Sequence, residues 1–425
     1  MKGQIVIIGG GASGLVAGIT AARLGRKVTL VEHMDRVGKK ILSTGNGRCN
    51  ITNLHMEESC YRCDEKSFPM KVIEGFGVDE TLAFFKGLGV EGKNRNGYIY
   101  PCSDQASAVL EVLLWEASHL GVKILTSCKV EKIEAVREKS RERESGTEEK
   151  AFCYKIHTSQ GVVQGDALIL ATGSKAAPST GSDGSGYVLA KELGHHIIKP
   201  LPALVQLRCQ GNVYKQMAGI RTEAKVTLHE NHLSGTVLGE ERGELQLTDY
   251  GLSGIPVFQI SRFASKALDQ KKRVVVAVDF LPSWENSESF GILKKRAGDL
   301  KEKTVEEMFI GLLNKKLASV LIKLSGVIPS KKAGELTGKE LGRLLSQLKS
   351  YEAIVMGVNP FANAQVCCGG VDTREIEAST MESRIKKNLY LTGELLDVDG
   401  ICGGYNLQFA WSSGVLAGRA AAGAV

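Results

Sequence analysis

The sequence predicts an α/β protein whose first domain is built on a parallel β-sheet and is interrupted by an inserted β-barrel and a small helical region. An apolar run at residues 5–8 stops at glycines, and a helical pattern and a second apolar strand at 27–32 follow. This is the order of a strand–helix–strand unit of a parallel sheet. The pattern of predicted secondary structure changes at residues 195–360. Near residue 388 a strand that ends in glycine appears again. The middle of the chain is therefore predicted to be an insertion.

The glycines after the first strand fit a site for a dinucleotide. The turn consists of Gly9, Gly11, Ala12, Ser13 and Gly14, with the three glycines spaced as G-x-G-x-x-G. In this pattern the first glycine makes a tight turn, the second lets backbone N–H groups approach a pyrophosphate, and the third allows close packing of the helix. The helix N-terminus adds a partial positive charge. Glu32, at the end of the second strand, is placed to accept hydrogen bonds from a ribose, so a Rossmann-like domain is predicted.

The composition bounds the class of protein. The 425 residues suffice for two or three domains, and 43% hydrophobic with 24% charged residues is typical of a soluble globular chain. The net charge of +7 suits an anionic cofactor or substrate. No basic run is interleaved with aromatic residues, so we expect no nucleic-acid binding. The absence of a signal peptide and of a 20-residue apolar stretch predicts a cytoplasmic protein without membrane contact.

Cysteine usage indicates free thiols and no metal. Ten cysteines in an intracellular enzyme are expected to stay reduced. Cys60 and Cys63 form a C-x-x-C pair, but no second pair lies at zinc-ligand spacing, so we predict no metal site. The adjacent Cys367 and Cys368 are expected to be small buried residues. A redox role of either pair stays open.

A polar segment at residues 35–53 is predicted to be a loop that contacts the cofactor. It is dense in Gly, Asn, Lys and Arg, has no clean periodicity, and leaves the carboxyl end of the second strand. The cations expected at the phosphates are Lys39, Lys40 and Arg48, and the amides expected at a ring edge are Asn46 and Asn50. A solvated basic loop is the alternative.

The rest of the chain divides into three predicted domains. Helix and strand alternate over residues 79–125, and two hairpin strands at 152–157 and 161–165 follow a charged, solvated tip at 137–150. Short strands separated by turns indicate a barrel or sandwich at 195–284. A Lys/Glu/Leu-rich pattern indicates mostly helical chain at 285–355, within a helical subdomain at 285–360. The predicted cofactor domain is then 1–194 plus 361–425.

Two late elements extend the prediction from a dinucleotide to FAD. The strand at 166–173 ends at Thr172 and Gly173, and the strand at 388–397 ends at Gly393 and Glu394. Glycines then precede a helix rich in Ala, Ser and Gly. NAD on one dinucleotide fold does not require this second helix start, whereas an acid can hold the ribityl chain of FAD and a helix N-terminus can stabilise charge on the reduced flavin. We therefore predict tightly bound FAD.

At this point the chain resembles a known family. The matching segments lie in family order at 9–14, 45–53, 171–173, 180–184, 201–205, 393–394 and 403–408. The sequence is similar to the BaiN/RdsA family of FAD-dependent oxidoreductases, which includes aminoacetone oxidases and a bile-acid reductase. Gly-Asn-Gly-Arg-Cys-Asn and Gly-Gly-Tyr-Asn-Leu-Gln are its specific segments, and the resemblance covers essentially the whole length.

The resemblance implies a flavoprotein of the type with two dinucleotide-binding domains, with a barrel and a helical subdomain inserted into the FAD domain. The FAD contacts that it implies are Gly11, Ala12, Ser13, Gly14, Glu32, Lys39, Lys40, Arg48, Asn50, Val130, Thr172, Gly173, Glu394, Asp397, Asn406 and Leu407. The chain departs from the family at Asp249, where a His is expected, and a substrate-facing Asp would reverse the local charge.

Three functions follow as hypotheses. The first is reduction of a carbon–carbon double bond conjugated to a ketone, with a 3-oxo-Δ4 or Δ4,6 bile-acid or steroid-like substrate and Tyr405 as a candidate proton donor. Its alternatives are an aminoacetone-type amine oxidase that produces H2O2 and a flavin-bearing RNA-modifying or RNA-binding protein. No credible second fingerprint is present, since residues 181–186 follow no strand, so NADH or NADPH is expected to dock transiently unless a protein donates electrons. The oligomeric state stays open.

Overall fold

The computed structural model describes residues 3–137, 141–142, 148–149 and 152–423. The chain forms two compact units. The first unit comprises Met1–Pro200 and Val366–Val425, and the second unit comprises Leu201–Gln365. Among the described residues, no helix combines the length and the apolar character that crossing a membrane requires.

Both units mix strands with helices. The strands are β1 (Gln4–Ile8), β2 (Lys27–Val31), β3 (Thr52–Asn53), β4 (Tyr61–Arg62), β5 (Gly92–Arg95), β6 (Tyr98–Pro101), β7 (Lys123–Leu125), β8 (Val130–Arg137), β9 (Arg141–Glu142), β10 (Glu148–Glu149), β11 (Phe152–Thr158), β12 (Gly161–Gly165), β13 (Ala167–Leu170), β14 (Ile197–Ala203), β15 (Leu207–Cys209), β16 (Arg221–Glu230), β17 (Val237–Leu247), β18 (Gly251–Ser253), β19 (Val274–Asp279), β20 (Tyr351–Val358), β21 (Val366–Val371), β22 (Leu389–Leu391) and β23 (Asp399–Gly400). The helices are α1 (Ala12–Arg23), α2 (Lys39–Ser43), α3 (Phe68–Gly75), α4 (Val78–Gly87), α5 (Ala106–His119), α6 (Ser185–Glu192), α7 (Tyr214–Met217), α8 (Ile255–Asp269), α9 (Ser289–Asp299), α10 (Val305–Met308), α11 (Lys315–Leu324), α12 (Gly338–Lys349) and α13 (Tyr405–Ala421).

A parallel five-stranded sheet organises the first unit. Its strand order is β22-β13-β1-β2-β7, with β1 at the centre. Ile5, Val6 and Ile7 of β1 are fully buried, because both faces of the sheet are covered. Gly18 of α1 packs against Ile7 on one face, and Gly165 at the end of β12 packs against Val6 on the other. The strands that the sequence placed before the first glycine turn, before Thr172 and near residue 390 are therefore neighbours in one sheet. The α/β prediction is confirmed.

The N-terminal and C-terminal helices pack directly on each other. A Cβ at Gly414 of α13 would lie 2.4 Å from the carbonyl oxygen of Ser13 in α1. The helix backbones approach this closely because α13 carries small residues at the contact. This contact joins a segment from each end of the chain beside the glycine turn.

The hairpin predicted after residue 150 is present. β11 pairs antiparallel with both β8 and β12. The charged tip predicted at 137–150 lies in large part outside the described residues.

A closed six-stranded barrel forms the core of the second unit. Its strand order is β15-β18-β17-β16-β19-β20. The helical prediction for residues 285–355 is wrong at its end, because Tyr351–Val358 is the strand β20, which closes the barrel by pairing with β15 and β19. Alternate residues of β20 are buried, which is the two-residue period of a strand. The helix α12 starts at Gly338, and the side chain of Thr337 caps it.

Candidate functional site

The glycine turn leaves an open surface at the end of β1. The N–H of Gly9 donates to the carbonyl of Val31 at 2.8 Å, and Gly9 has a φ of +103°. A Cβ at Gly14 would lie 2.0 Å from the carbonyl oxygen of Gly9, so a side chain there would force α1 away from the turn. At Gly11, by contrast, a Cβ would meet no atom within 4 Å. The turn is closed toward the sheet and open where a pyrophosphate would approach.

Glu32 holds this turn in place. The side chain is 8% exposed at the end of β2. One carboxylate oxygen accepts from the backbone N–H of Gly10 at 2.8 Å, and the other accepts from the backbone N–H of Met34 at 2.8 Å. The predicted ribose ligand thus also fixes the backbone of the phosphate turn, which sequence spacing alone did not show.

A small cleft adjoins the turn and Glu32. Its lining residues are Ile8, Gly9, Val31, Glu32, His33, Cys128, Lys129, Val130, Thr172, Gly181, Asp183, Ser185 and Leu189. Thr172 has a buried hydroxyl oxygen without a hydrogen-bond partner among the described residues. Such an atom normally has a partner, so a ligand with polar groups fits the cleft. Gly173 follows in a left-handed conformation, with a φ of +71°.

The cleft also shows what the sequence missed. Residues 181–186, which the sequence pattern does not predict to be a second nucleotide-binding loop, lead into α6. Gly181, Asp183 and Ser185 nevertheless line the same cleft as Glu32. The signal was present in the family segment at 180–184. No strand directly precedes this segment, so the criterion of a strand followed by a glycine-rich turn did not identify it as a nucleotide-binding segment.

The basic segment after β2 is more regular and more paired than predicted. It contains α2 and a short 3-10 helix at Thr44–Gly47, so the prediction of a simple loop is wrong. The ammonium group of Lys39 lies 2.5 Å from the Asp35 carboxylate, and that of Lys40 lies 2.5 Å from the Glu394 carboxylate. Arg48 is exposed.

Glu394 is held from two sides. Besides Lys40, the hydroxyl of Ser174 donates to the same carboxylate oxygen at 3.0 Å. These contacts bring together Ser174, which follows β13, Glu394, which follows β22, and Lys40 of α2. They orient the Glu394 carboxylate beside the strand ends, where the sequence placed the ribityl chain.

The two family-specific segments lie against each other. The side-chain amide of Asn53 donates to the carbonyl of Gly403 at 3.0 Å, and a Cβ at Gly404 would lie 2.8 Å from the backbone of Thr52. Asn50 has a buried side-chain oxygen without a partner among the described residues. The start of α13 is therefore held beside an amide oxygen that has no partner among the described residues.

Gln408 is the centre of this contact. It is fully buried, and its side-chain oxygen accepts from the hydroxyl of Thr52 at 2.6 Å. Its side-chain nitrogen contacts the hydroxyls of Thr81 and Ser412 at 2.9 and 3.0 Å. The indole N–H of Trp411 donates to the carbonyl of Ile51 at 3.0 Å in the same region.

For the FAD contacts predicted near the start of α13, the side chain and the backbone have different roles. The Asn406 side chain both accepts from and donates to the backbone of Gly400 at 2.9 Å, so it closes the turn before the helix. The backbone N–H groups of Asn406 and Leu407 belong to the first helical turn, where N–H groups have no partner within the helix. Asp397 is fully buried and accepts from the backbone N–H of Gly369 at 2.9 Å.

Tyr405, the candidate proton donor, is 4% exposed. Its backbone carbonyl accepts from the hydroxyl of Tyr61 at 2.9 Å, and the two rings meet edge to face at 6.0 Å. Burial, together with the neighbouring Cys60 thiol, raises the pKa of the Tyr405 hydroxyl well above its usual value. The hydroxyl is therefore protonated at neutral pH.

Two further predictions concern Asp249 and the neighbouring cysteines Cys367 and Cys368. Asp249 is exposed between β17 and β18 of the second unit. Cys367 and Cys368 are buried in β21, as expected, and all ten cysteines are free thiols.

These residues fit FAD. The open turn suits a pyrophosphate, and the cleft with the unpartnered Thr172 hydroxyl suits an adenosine. The N-terminus of α13 and the unpartnered Asn50 amide suit a flavin edge. Fold and site together define a protein of the Rossmann-domain flavoprotein class.

Comparison with known proteins identifies the family. Residues 3–420 match the model of the HI0933-like protein Rossmann domain family, and the chain belongs to this family. It is 46% identical over 421 residues to the 3-dehydro-bile acid delta(4,6)-reductase of Clostridium scindens, covering 99% of both chains. It is 29% identical to the ribosomal RNA dihydrouridine synthase of Haemophilus influenzae, covering 96% of both chains. The Escherichia coli synthase of the same description is 28% identical, with 96% of this chain and 95% of the relative covered. The expected resemblance is confirmed.

Proposed function

We propose that the protein is an FAD-dependent reductase of a carbon–carbon double bond conjugated to a ketone, with a 3-oxo-Δ4 or Δ4,6 bile-acid or steroid-like substrate. The observation that carries the proposal is the 46% identity, along both chains, with a relative described as a bile-acid delta(4,6)-reductase. The site supports this chemistry because it offers a helix N-terminus to the flavin edge and a protonated buried hydroxyl nearby.

The residues of this chain bind and orient the reacting groups. Bound FAD would supply the hydride that is added to the β-carbon of the substrate. The glycine turn and Glu32 would hold the phosphate and ribose end of FAD, and the first-turn N–H groups of α13 would stabilise negative charge on the flavin ring. The Tyr405 hydroxyl carries the proton proposed for the α-carbon, and its raised pKa keeps that proton in place until transfer.

NADH or NADPH is the proposed electron donor. With a single glycine fingerprint in use by FAD, the nicotinamide cofactor would dock transiently rather than occupy its own fold. A protein donor is the alternative, and flavin reduction by each nicotinamide separates the two.

Stopped-flow spectroscopy tests the proposal directly. In one arm the flavin is reduced anaerobically with NADH or NADPH and is then mixed with enones, including oxo-bile acids. In a second arm the oxidised enzyme is mixed with aminoacetone in the presence of air, without a nicotinamide. We expect rapid reoxidation by the oxo-bile-acid enone with formation of the saturated ketone. Rapid, stoichiometric H2O2 with an amine, and no turnover of any enone, would instead establish the amine-oxidase alternative. A flavin that neither NADH nor NADPH reduces would point to a protein donor.

A second candidate is favoured by the relatives described as ribosomal RNA dihydrouridine synthases. Dihydrouridine formation also saturates a carbon–carbon double bond conjugated to a carbonyl, so the same hydride and proton steps would serve. This candidate predicts RNA affinity that falls steeply with salt. Weak RNA binding that does not respond to salt would remove it and would agree with the expectation of no nucleic-acid partner.

A further inference from the structure

A cluster of three metal-ligating side chains lies on one short segment beside α13. His55, Glu57 and Cys60 place a ring nitrogen, a carboxylate oxygen and a sulfur within 4.8 Å of one another. The His55 ring nitrogen Nε2 already lies 3.3 Å from the Glu57 carboxylate. We propose that this cluster is a binding site for a borderline-soft divalent cation, with Zn²⁺ as the best match.

The donor set selects the metal class. Zinc accepts nitrogen, oxygen and thiolate ligands together, whereas Mg²⁺ and Ca²⁺ prefer oxygen alone. Ligand atoms around a tetrahedral zinc are separated by about 3.5 Å, given bonds of about 2.0–2.3 Å. The His55 and Glu57 side chains are 66% and 54% exposed, so they can rotate the short distance to the buried Cys60 sulfur.

The backbone around the cluster is fixed before any metal binds. The backbone N–H of His55 donates to the Asn53 side chain at 3.0 Å, and the N–H of Cys60 donates to the carbonyl of Glu57 at 3.0 Å. The carbonyl of Cys60 accepts from the N–H of Ile401 at 3.0 Å. The three ligands therefore share a preformed turn, which lowers the ordering cost of binding.

Tyr405 is a neighbour of the sulfur ligand. Burial, and after it the Cys60 thiol, raises the pKa of the Tyr405 hydroxyl. On metal binding the thiol releases one proton to solvent, His55 binds as the neutral imidazole, and the Tyr405 O–H can donate to the metal-bound thiolate. With three protein ligands, two of them exposed, the fourth position is open to water or to a small anionic ligand.

The other cysteine of the C-x-x-C pair is not part of the site. The Cys63 sulfur lies 3.3 Å from the Thr373 hydroxyl and is engaged there. Because Cys63 is engaged with Thr373, the C-x-x-C spacing does not identify the ligands of the proposed metal site. Cys63 is therefore a matched control for Cys60.

The test uses the full-length flavin-loaded protein, stripped of metal with a chelator and titrated with Zn²⁺ by calorimetry. We expect one zinc per chain, and zinc-edge X-ray absorption with one sulfur ligand at about 2.3 Å and nitrogen or oxygen ligands at about 2.0 Å. Cys60→Ser, His55→Ala and Glu57→Gln each lower the affinity by at least about tenfold. Cys63→Ser leaves the affinity unchanged.

Three outcomes would overturn the proposal. One is the absence of stoichiometric zinc uptake, and another is X-ray absorption without sulfur. The third is equal zinc affinity of the wild type and of the Glu57→Gln variant, whose exposed substitution leaves the fold intact even where Cys60→Ser does not fold. The flavin spectrum and the melting temperature of each variant verify that the protein is folded.

Discussion

Gln408 gives the sharpest test of how the two ends of the FAD domain are joined. The perturbation is Gln408→Met, which keeps the volume of the side chain and removes both of its polar atoms. The side chain is fully buried and connects Thr52 of the polar segment with Thr81 and Ser412. The variant therefore breaks the polar connection without opening a large cavity.

The expected loss of unfolding free energy follows from the buried polar groups that lose a hydrogen-bond partner. The carbonyls of Phe76 and Gly77 keep other donors, namely the Ser412 hydroxyl and the Thr81 N–H. The hydroxyl of Thr52 loses the acceptor of its bond, and the hydroxyl of Thr81 loses a donor. Two buried hydroxyls at about 1–3 kcal/mol each give a destabilisation of about 2–6 kcal/mol, and a value of about 3 kcal/mol, in the lower half of this range, is expected.

Thermal unfolding of the metal-free, flavin-loaded protein measures this change. A loss of about 3 kcal/mol corresponds to a fall in melting temperature of about 6–12 °C for a unit of this size. The matched control is Gln270→Met, because Gln270 is exposed at the end of α8 and should change stability by less than about 0.5 kcal/mol. A Gln408→Met melting temperature equal to that of the control would refute the reasoning.

The remaining predictions concern the cofactor site, the proton donor and pH. Gly14→Ala is expected to abolish flavin retention, because its Cβ would lie 2.0 Å from the Gly9 carbonyl oxygen, and a variant purified with full flavin content would contradict this. Thr172→Val is expected to weaken FAD binding by about tenfold while leaving the unfolding free energy of the apoprotein unchanged, since the hydroxyl has no described protein partner; a drop in apoprotein stability with unchanged FAD affinity would assign it a structural role. Tyr405→Phe is expected to slow reoxidation by the enone by about 10²-fold with little effect on flavin reduction, and equal slowing of both half-reactions would indicate packing instead. Burial lowers the pKa of His195, whose ring bonds to Glu375 at 2.8 Å and to Ser383 at 3.0 Å with Lys386 nearby, so its contribution to stability is present above its unfolded pKa of about 6.5 and is lost as the pH falls. The unfolding free energy should therefore fall less between about pH 7.5 and about pH 5.5 in His195→Asn than in the wild type, and identical slopes would be inconsistent with this assignment.

The sequence predicted the elements whose signals are local. The apolar run of β1, the glycine turn and Glu32 follow one another within a single strand–helix–strand unit, so spacing alone indicated their roles. The family segments around Asn50 and Gln408 were also recognisable as sequence patterns.

Long-range pairing was beyond the sequence. β20 joins the barrel across more than seventy residues of mostly helical chain from β19, so its alternation stood within a Lys/Glu/Leu-rich region and was assigned to helices. The pairing of Lys40 with Glu394 likewise links positions 354 residues apart. A single sequence shows which side chains are basic and which are acidic. It does not show which of them form ion pairs and which basic side chains stay available to bind phosphates.

Flavin stoichiometry tests the central claim most directly. The claim is that the glycine turn near one end of the chain and the start of α13 near the other bind the same FAD molecule. The protein is purified without added flavin and denatured, and the released cofactor is quantified by chromatography against FAD and FMN standards. The account predicts about one FAD per chain, with the characteristic visible flavin absorbance before denaturation. A colourless protein that takes up no FAD when it is supplied would contradict the account.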